Sequence, residues 1–127
     1  MAKLRHVAIS VPDIQKAAAF YEEVFDMERL GESKVAVNLS DGVINLTLLR
    51  FPTDEMAGDE RGKDFFGIHH IGFMVDDTAE MRRRIEARGG RHVSDAPGAP
   101  GRNAEEKYRD PDGVVFDLST AGWEGTS

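Results

Sequence analysis

The sequence predicts an α+β fold made of two β-α-β-β-β modules, and three features carry that prediction. The first is an internal repeat. Arg5-His6-Val7-Ala8-Ile9-Ser10-Val11-Pro12-Asp13 is matched by His69-His70-Ile71-Gly72-Phe73-Met74-Val75-Asp76-Asp77, and self-similarity at this spacing is the signature of a duplicated unit. The second is a change of period after each copy, from strict alternation to apolar residues at helical spacing. The third is a glycine-bearing turn late in each half, Ser40-Asp41-Gly42 and Asp110-Pro111-Asp112-Gly113, of the kind that joins paired strands.

Taken in order, the first strand leads into a helix over 13–26, with Ile14, Ala18, Tyr21 and Phe25 as its apolar stripe and Asp13 as N-cap. Strands follow at roughly 28–32, 34–39 and 43–51. The second copy leads into a helix with a thinner stripe, Met81 and Ile85. It is opened by Asp77 three residues before Glu80 and closed by Gly89-Gly90. Its strands fall near 92–94, 105–109 and 114–119. Residues 1–52 and 66–120 thus form two modules within one domain. The polar stretch 53–65, rich in Gly, Asp and Glu, reads as a linker whose composition suggests mobility. The stretch 96–101 reads as a loop or lid, and 121–127 as a tail whose Trp123 docks on the fold.

Composition narrows the functional classes. The 127 residues carry a net charge of -7 and no cysteine. Nucleic-acid binding needs clustered cations to replace phosphate counterions, and the one dense basic run, Arg82-Arg83-Arg84, reads as a solvated helix face followed by Glu86. Disulfides, thiolate metal sites and cysteine nucleophiles are excluded. No stretch approaches the ~20 apolar residues of a membrane-spanning helix. The expectation is a cytoplasmic protein that binds neither nucleic acid nor membrane.

Side chains alternate across a strand. Val7, Ile9 and Val11 form one face of the first strand, and Ile71, Phe73 and Val75 the matching face of its repeat; these are the core faces. The opposite faces carry His6, Ala8, Ser10 and His70, Gly72, Met74. A histidine with a small residue two places on, twice, predicts open space beside each imidazole. In Val114-Val115-Phe116-Asp117-Leu118-Ser119 the acidic residue projects away from the core face. A carboxylate in so apolar a strand needs charged partners or a metal. Asn45, within Val43-Ile44-Asn45-Leu46-Thr47, takes the corresponding place in the first half. Two imidazoles and a carboxylate are a common divalent-metal set that leaves positions open for water or substrate. His69 points to the other face and reads as structural or exposed, and His92 as a surface residue.

These segments, with Phe20-Tyr21, Asp110-Pro111-Asp112-Gly113 and Asp117-Leu118, resemble in order and spacing the vicinal oxygen chelate (VOC) superfamily of glyoxalases, epimerases, extradiol dioxygenases and antibiotic-resistance proteins. The resemblance implies sheets that curl around a metal cleft, with His6, Asn45, His70 and Asp117 at the ligand positions. It also implies a divalent ion (Zn, Ni, Mn, Co or Fe), a small-molecule substrate bound through two adjacent oxygens, and a homodimer. Glyoxalase I has glutamate at both non-histidine positions, whereas Asn45 and the shorter Asp117 stand here; a neutral amide at the first position accords with the epimerases. The expected activity is a metal-dependent lyase or isomerase with Asp117 as ligand and base. The alternatives are an extradiol-type ring-cleaving dioxygenase or a non-catalytic binding or resistance protein. Glu105, Glu106, Lys107, Tyr108 and Arg109 precede the last turn, and their facing waits on the strand register.

Overall fold

The computed structural model describes residues 1–58, 61–99 and 103–127. Its elements run β1 (Lys3–Ser10), α1 (Ile14–Phe25), β2 (Glu28–Glu32), β3 (Ala36–Ser40), β4 (Asn45–Leu49), α2 (Asp54–Ala57), β5 (Gly67–Met74), α3 (Thr78–Ala87), β6 (Arg91–Ala96), β7 (Glu105–Arg109) and β8 (Val115–Ser119). The β-α-β-β-β order thus occurs twice. The chain divides into two compact units: Val7–His69 with Glu124–Ser127, and Met1–His6 with His70–Trp123.

In the first of these, hydrogen bonding follows the order β2-β3-β4-β1. Ile14, Ala18, Val37, Leu39, Leu46 and Leu48 are its buried core, with Val7, Ile9, Val11, Tyr21 and Met27 packed against them. The core face expected of the first strand is therefore the one that meets the helix. α1 begins because the Asp13 carboxylate accepts from the backbone N–H groups of Gln15 and Lys16, satisfying donors that the first turn leaves without an intrahelical partner. Of the expected stripe, Phe25 departs: it is 61% exposed and packs beside Phe20 and Tyr21 on the outside of the helix. Of the stretch expected to be a mobile linker, residues 59–60 lie outside the described residues, and the part before them contains α2, capped by the Thr53 hydroxyl. The stretch is tied back by the Arg50 guanidinium donating to the Lys63 carbonyl (2.6 Å) and by the Asp54 carboxylate accepting from Lys63 N (2.9 Å). His69 is buried and its ring bonds the Ala57 carbonyl; it is structural.

In the second unit the order is β5-β8-β7-β6. Val75, Tyr108 and Leu118 are buried, with Phe73, Met81, Ile85 and Phe116 packed against them. The thin stripe on α3 is sufficient because only one edge of that helix meets the core. The arginine run stays on its solvent side, where Arg82 pairs with Glu86 (2.9 Å) and Arg83 with Glu80. β6 extends to Ala96, further than the sequence indicated. The expected loop at 96–101 falls partly outside the described residues, since 100–102 are not among them. Both hairpin turns use one device. Asp41 Oδ1 accepts from Val43 N and Ile44 N, and Asp110 Oδ1 from Asp112 N and Val114 N, while Gly42 and Gly113 take positive φ values of 97° and 88°, which L side chains rarely adopt. Among the described residues no helix is long and apolar enough to cross a membrane.

Leu39 has no exposed surface and lies at the centre of the first core. Leu39→Ala is expected to lower the unfolding free energy by roughly 2–5 kcal/mol, the range for truncating a buried leucine; urea denaturation measures it.

Candidate metal centre

Three strands of the second unit bring His6, His70 and Asp117 together. β5 and β8 run parallel, with Gly72 opposite Asp117, so His70 projects on the same side as Asp117 by alternation. His6 ends the part of β1 that belongs to this unit. His6 Nε2 and His70 Nε2 stand 3.2 Å apart, and His70 Nε2 is 3.2 Å from Asp117 Oδ2. The three residues are exposed by only 4%, 8% and 1%.

This donor set fits a divalent ion. One ligand atom from each residue lies within 4.8 Å of the others. Two nitrogens each roughly 2.0–2.1 Å from one ion would stand about 3.3 Å apart at a tetrahedral angle, close to the observed 3.2 Å. Without an ion, the same approach requires one imidazole to present N–H and the other its lone pair.

The register also settles which residues of β7 face the site. Lys107 pairs with Asp117, and Glu106 with Leu118, so Glu105, Lys107 and Arg109 share the Asp117 side while Glu106 and Tyr108 face the core. Lys107 Nζ donates to Asp117 Oδ1 at 2.7 Å. Tyr108 is fully buried, stacks on Phe116, and donates its hydroxyl to Glu106 at 2.6 Å. Arg109 clamps the following turn through the Gly113 carbonyl (2.9 Å). The signal was present in the sequence: a tyrosine in the core face of β7 forces residues 105 and 107 onto the other face.

Glu105 adds a second carboxyl. Burial, then the hydrogen bond to Asp117 and its charge, pushes the Glu105 carboxyl up to about 8, against the opposing pull of Lys107 and Trp123. For Asp117 burial works against the charge, but the charge of His70, the hydrogen bond from Glu105 and the ammonium of Lys107 outweigh it and hold the carboxyl below its ordinary value. In the metal-free protein the pair therefore shares one proton near neutral pH, as close carboxyls do.

Two expectations need correction. The face beside the His6 imidazole is not open. In the unit that holds His6, the indole of Trp123 lies flat on the imidazole, with ring centroids 4.6 Å apart and planes 6° apart. A small residue stands at 72 because the indole covers that strand. The second correction concerns Asn45. Val11 N bonds the Leu49 carbonyl (2.9 Å) as Val75 N bonds the Ser119 carbonyl (3.0 Å). Asn38 pairs with Thr47 as Lys107 pairs with Asp117. The position matching Asp117 is thus Thr47, with Asn45 two residues before it on the same face. The Asn45 amide donates to the Glu124 carbonyl (3.1 Å), and its oxygen accepts from the Thr47 hydroxyl (2.7 Å). The misalignment arises because the first hairpin closes between Ser40 and Asn45 and the second between Arg109 and Val115. That makes the second loop one residue longer, and alternation lets both polar residues satisfy the pattern. His92 is half-buried, with Nε2 2.7 Å from Asp95 Oδ1 and its ring against Tyr108.

The duplicated β-α-β-β-β unit bears two histidines and a carboxylate that could hold a metal ion. The profile of the Glyoxalase/Bleomycin resistance protein/Dioxygenase superfamily matches residues 3–118, and the chain belongs to that superfamily. It is 33% identical over 110 residues to the mitochondrial methylmalonyl-CoA epimerase of Bos taurus, covering 72% of this chain and 63% of that protein. It is 34% identical over 100 residues to the ethylmalonyl-CoA/methylmalonyl-CoA epimerase of Cereibacter sphaeroides, covering 72% and 74%. The matched stretch spans less than two thirds of the Bos taurus relative, and only 48% of the Homo sapiens one. Among solved structures, a hypothetical protein from Bacillus halodurans superimposes with a TM-score of 0.74 at 22% identity over 93% of both chains. The methylmalonyl-CoA epimerase of Mycobacterium tuberculosis superimposes with a TM-score of 0.67 at 22% identity, over 91% of this chain and 85% of that one. These structures share the fold. The curated relatives are named as epimerases, which are isomerases.

The Glu105 proton gives a testable sign. Between the ordinary value of 4.5 and about 8, the metal-free native state holds a proton that the unfolded chain has released. Its stability therefore falls as pH rises through that window, by up to roughly 1.4 kcal/mol per pH unit for one proton. The lowered Asp117 carboxyl acts with opposite sign and only below its ordinary 3.8, outside the window. Urea denaturation at a series of pH values is expected to show this slope, and Glu105→Gln to flatten it.

Proposed function

We propose that this chain is a metal-dependent isomerase that moves a proton α to the carbonyl of a small acyl thioester, as an epimerase of a methylmalonyl-CoA-type substrate. The observation that carries the reading is the convergence of His6, His70 and Asp117 on one point, with Lys107 and Glu105 beside the carboxylate. Supporting it are relatives named for this activity, at one-third identity.

His6, His70 and Asp117 would hold the ion. It would supply Lewis-acid stabilisation of the negative charge that develops on the substrate oxygens when the α-proton leaves. The chain's own residues do the rest. Asp117 stays ionised because Lys107 and Glu105 meet its oxygens, so it remains a ligand rather than taking the substrate proton. Glu105, as carboxylate, would accept the α-proton, and inversion follows when the proton is returned to the opposite face of the enolate-like intermediate, by a second donor or after that intermediate turns over. Lys107 orients Asp117 through its 2.7 Å bond. Asn45, whose amide is committed to Thr47 and the Glu124 carbonyl, stands outside the ligand set in this reading, which departs from the expectation that it is a ligand.

The chemistry is read by deuterium entering the α-position of methylmalonyl-CoA in D2O, followed by mass spectrometry on protein supplied with Co2+ or Mn2+. Incorporation is expected. Bound metal without incorporation sinks the isomerase reading. Two substitutions separate the roles. Asp117→Asn is expected to abolish tight metal binding. Glu105→Gln is expected to retain the metal while slowing incorporation by about 10²–10⁴-fold, the usual worth of a general acid–base group.

A further inference from the structure

Metal coordination asks more of a histidine than proximity. The lone pair of Nε2 lies in the plane of the imidazole, so an ion is held well only where that plane points at it. The torsion that turns the plane joins a tetrahedral carbon to a trigonal one, and such torsions are broad, without sharp staggered wells. Something packed against the ring must fix it.

For His6 that neighbour is Trp123, which belongs to the same compact unit. The indole lies flat against one face of the imidazole, with ring centroids 4.6 Å apart and planes 6° apart. A stack of this kind covers a face and does not obstruct the edge, where His6 Nε2 stands 3.2 Å from His70 Nε2. The place for the indole is built into the unit. β5 offers a glycine where the ring passes: a Cβ at Gly72 would stand 2.7 Å from Trp123 Cη2, and Gly72 is the residue paired with Asp117. The backbone just before the indole is held on both its polar groups. Gly122 N donates to Ser119 Oγ (3.1 Å), and the Gly122 carbonyl accepts from Asn103 Nδ2 (3.0 Å). The indole also bears on Glu105, where it pulls the carboxyl toward its ionised form against the effect of burial.

We infer that Trp123 is the positioning residue of His6: its indole sets the plane of the imidazole so that Nε2 faces the point shared with His70 and Asp117. The inference rests on the reading of those three residues as metal ligands. The stack also strengthens when the site is loaded, because the face of an indole attracts a ring that bears the charge of a bound cation. Groups that orient a ligand without touching the metal cost roughly 10–100-fold in metal affinity when removed. Trp123 lies outside both repeats, so this support belongs to the second unit alone.

The test is Co2+ titration of the metal-free full chain, read by calorimetry for affinity, by Co2+ absorbance for coordination and by the fluorescence of Trp123, the one tryptophan. In the native chain a Co2+ ion on His6 sits next to the stacked indole and is expected to quench its fluorescence in step with the absorbance. Trp123→Leu keeps apolar bulk but has no flat face. It is expected to weaken Co2+ binding by about 10–100-fold and to alter the absorbance, with circular dichroism unchanged. Trp123→Phe restores a flat face and is expected to recover most of the affinity. A role in packing alone would lower the unfolding midpoint of both variants and leave their affinity and absorbance at native values; that result overturns the inference and leaves the metal site standing. Co2+ absorbance without quenching in the native chain overturns it too, and needs no variant if Trp123→Leu fails to fold. Failure of the native chain to bind Co2+ removes the metal reading, and the positioning role with it.

Discussion

A carboxylate with 1% of its surface exposed in the middle of an apolar strand is the constraint around which the second unit is arranged. Placing the Asp117 charge there costs several kcal/mol unless partners replace the lost water. The structure supplies three from two neighbouring strands: His70 from the adjacent parallel strand, and Lys107 and the Glu105 carboxyl, whose pKa is raised, from the antiparallel one. None is adjacent to Asp117 in sequence. Each is delivered by strand register, so the fold around β5, β7 and β8 and the electrostatics of the site are one arrangement. Shifting β7 by one residue would put Glu106 and Tyr108 against the carboxylate and Lys107 into the core.

The two halves of the repeat use the same scaffold differently. In one, the face opposite the helix carries ionisable groups converging on a point. In the other, the matching positions carry Asn38 and Thr47, with Asn45 beside them, and these neutral groups bond one another and the backbone of residue 124. A duplicated unit can thus keep its β-α-β-β-β core, with apolar residues on one face of each strand, while its other face diverges. Core packing tolerates few changes of volume, whereas the opposite face answers to whatever it must bind.

Trp123 shows how a residue outside both repeats can decide the character of the site. Its indole matches the imidazole of His6 in plane and fills the space that a glycine in β5 provides. It also lies within reach of the Glu105 carboxyl, whose pKa it helps to lower. The same ring therefore bears on one proposed ligand and on the proposed proton carrier.

The sequence by itself determined the duplicated architecture, the core faces, the two aspartate-glycine turns and the pairing of His6 with His70. All of these are local patterns of period and composition repeated at a fixed offset. It marked Asp117 because an acid in an apolar strand is conspicuous wherever the strand lies. It did not determine the partner of Asp117 in the first half, because Asn45 and Thr47 share a face and only hairpin closure distinguishes them. Nor did it determine that Glu105 and Lys107 converge on Asp117, or that Trp123 covers His6. Those depend on register between strands and on where a turn after β8 sends the chain. Cross-strand contacts are set by hydrogen-bond pairing over long sequence separations, which no local pattern of residues records.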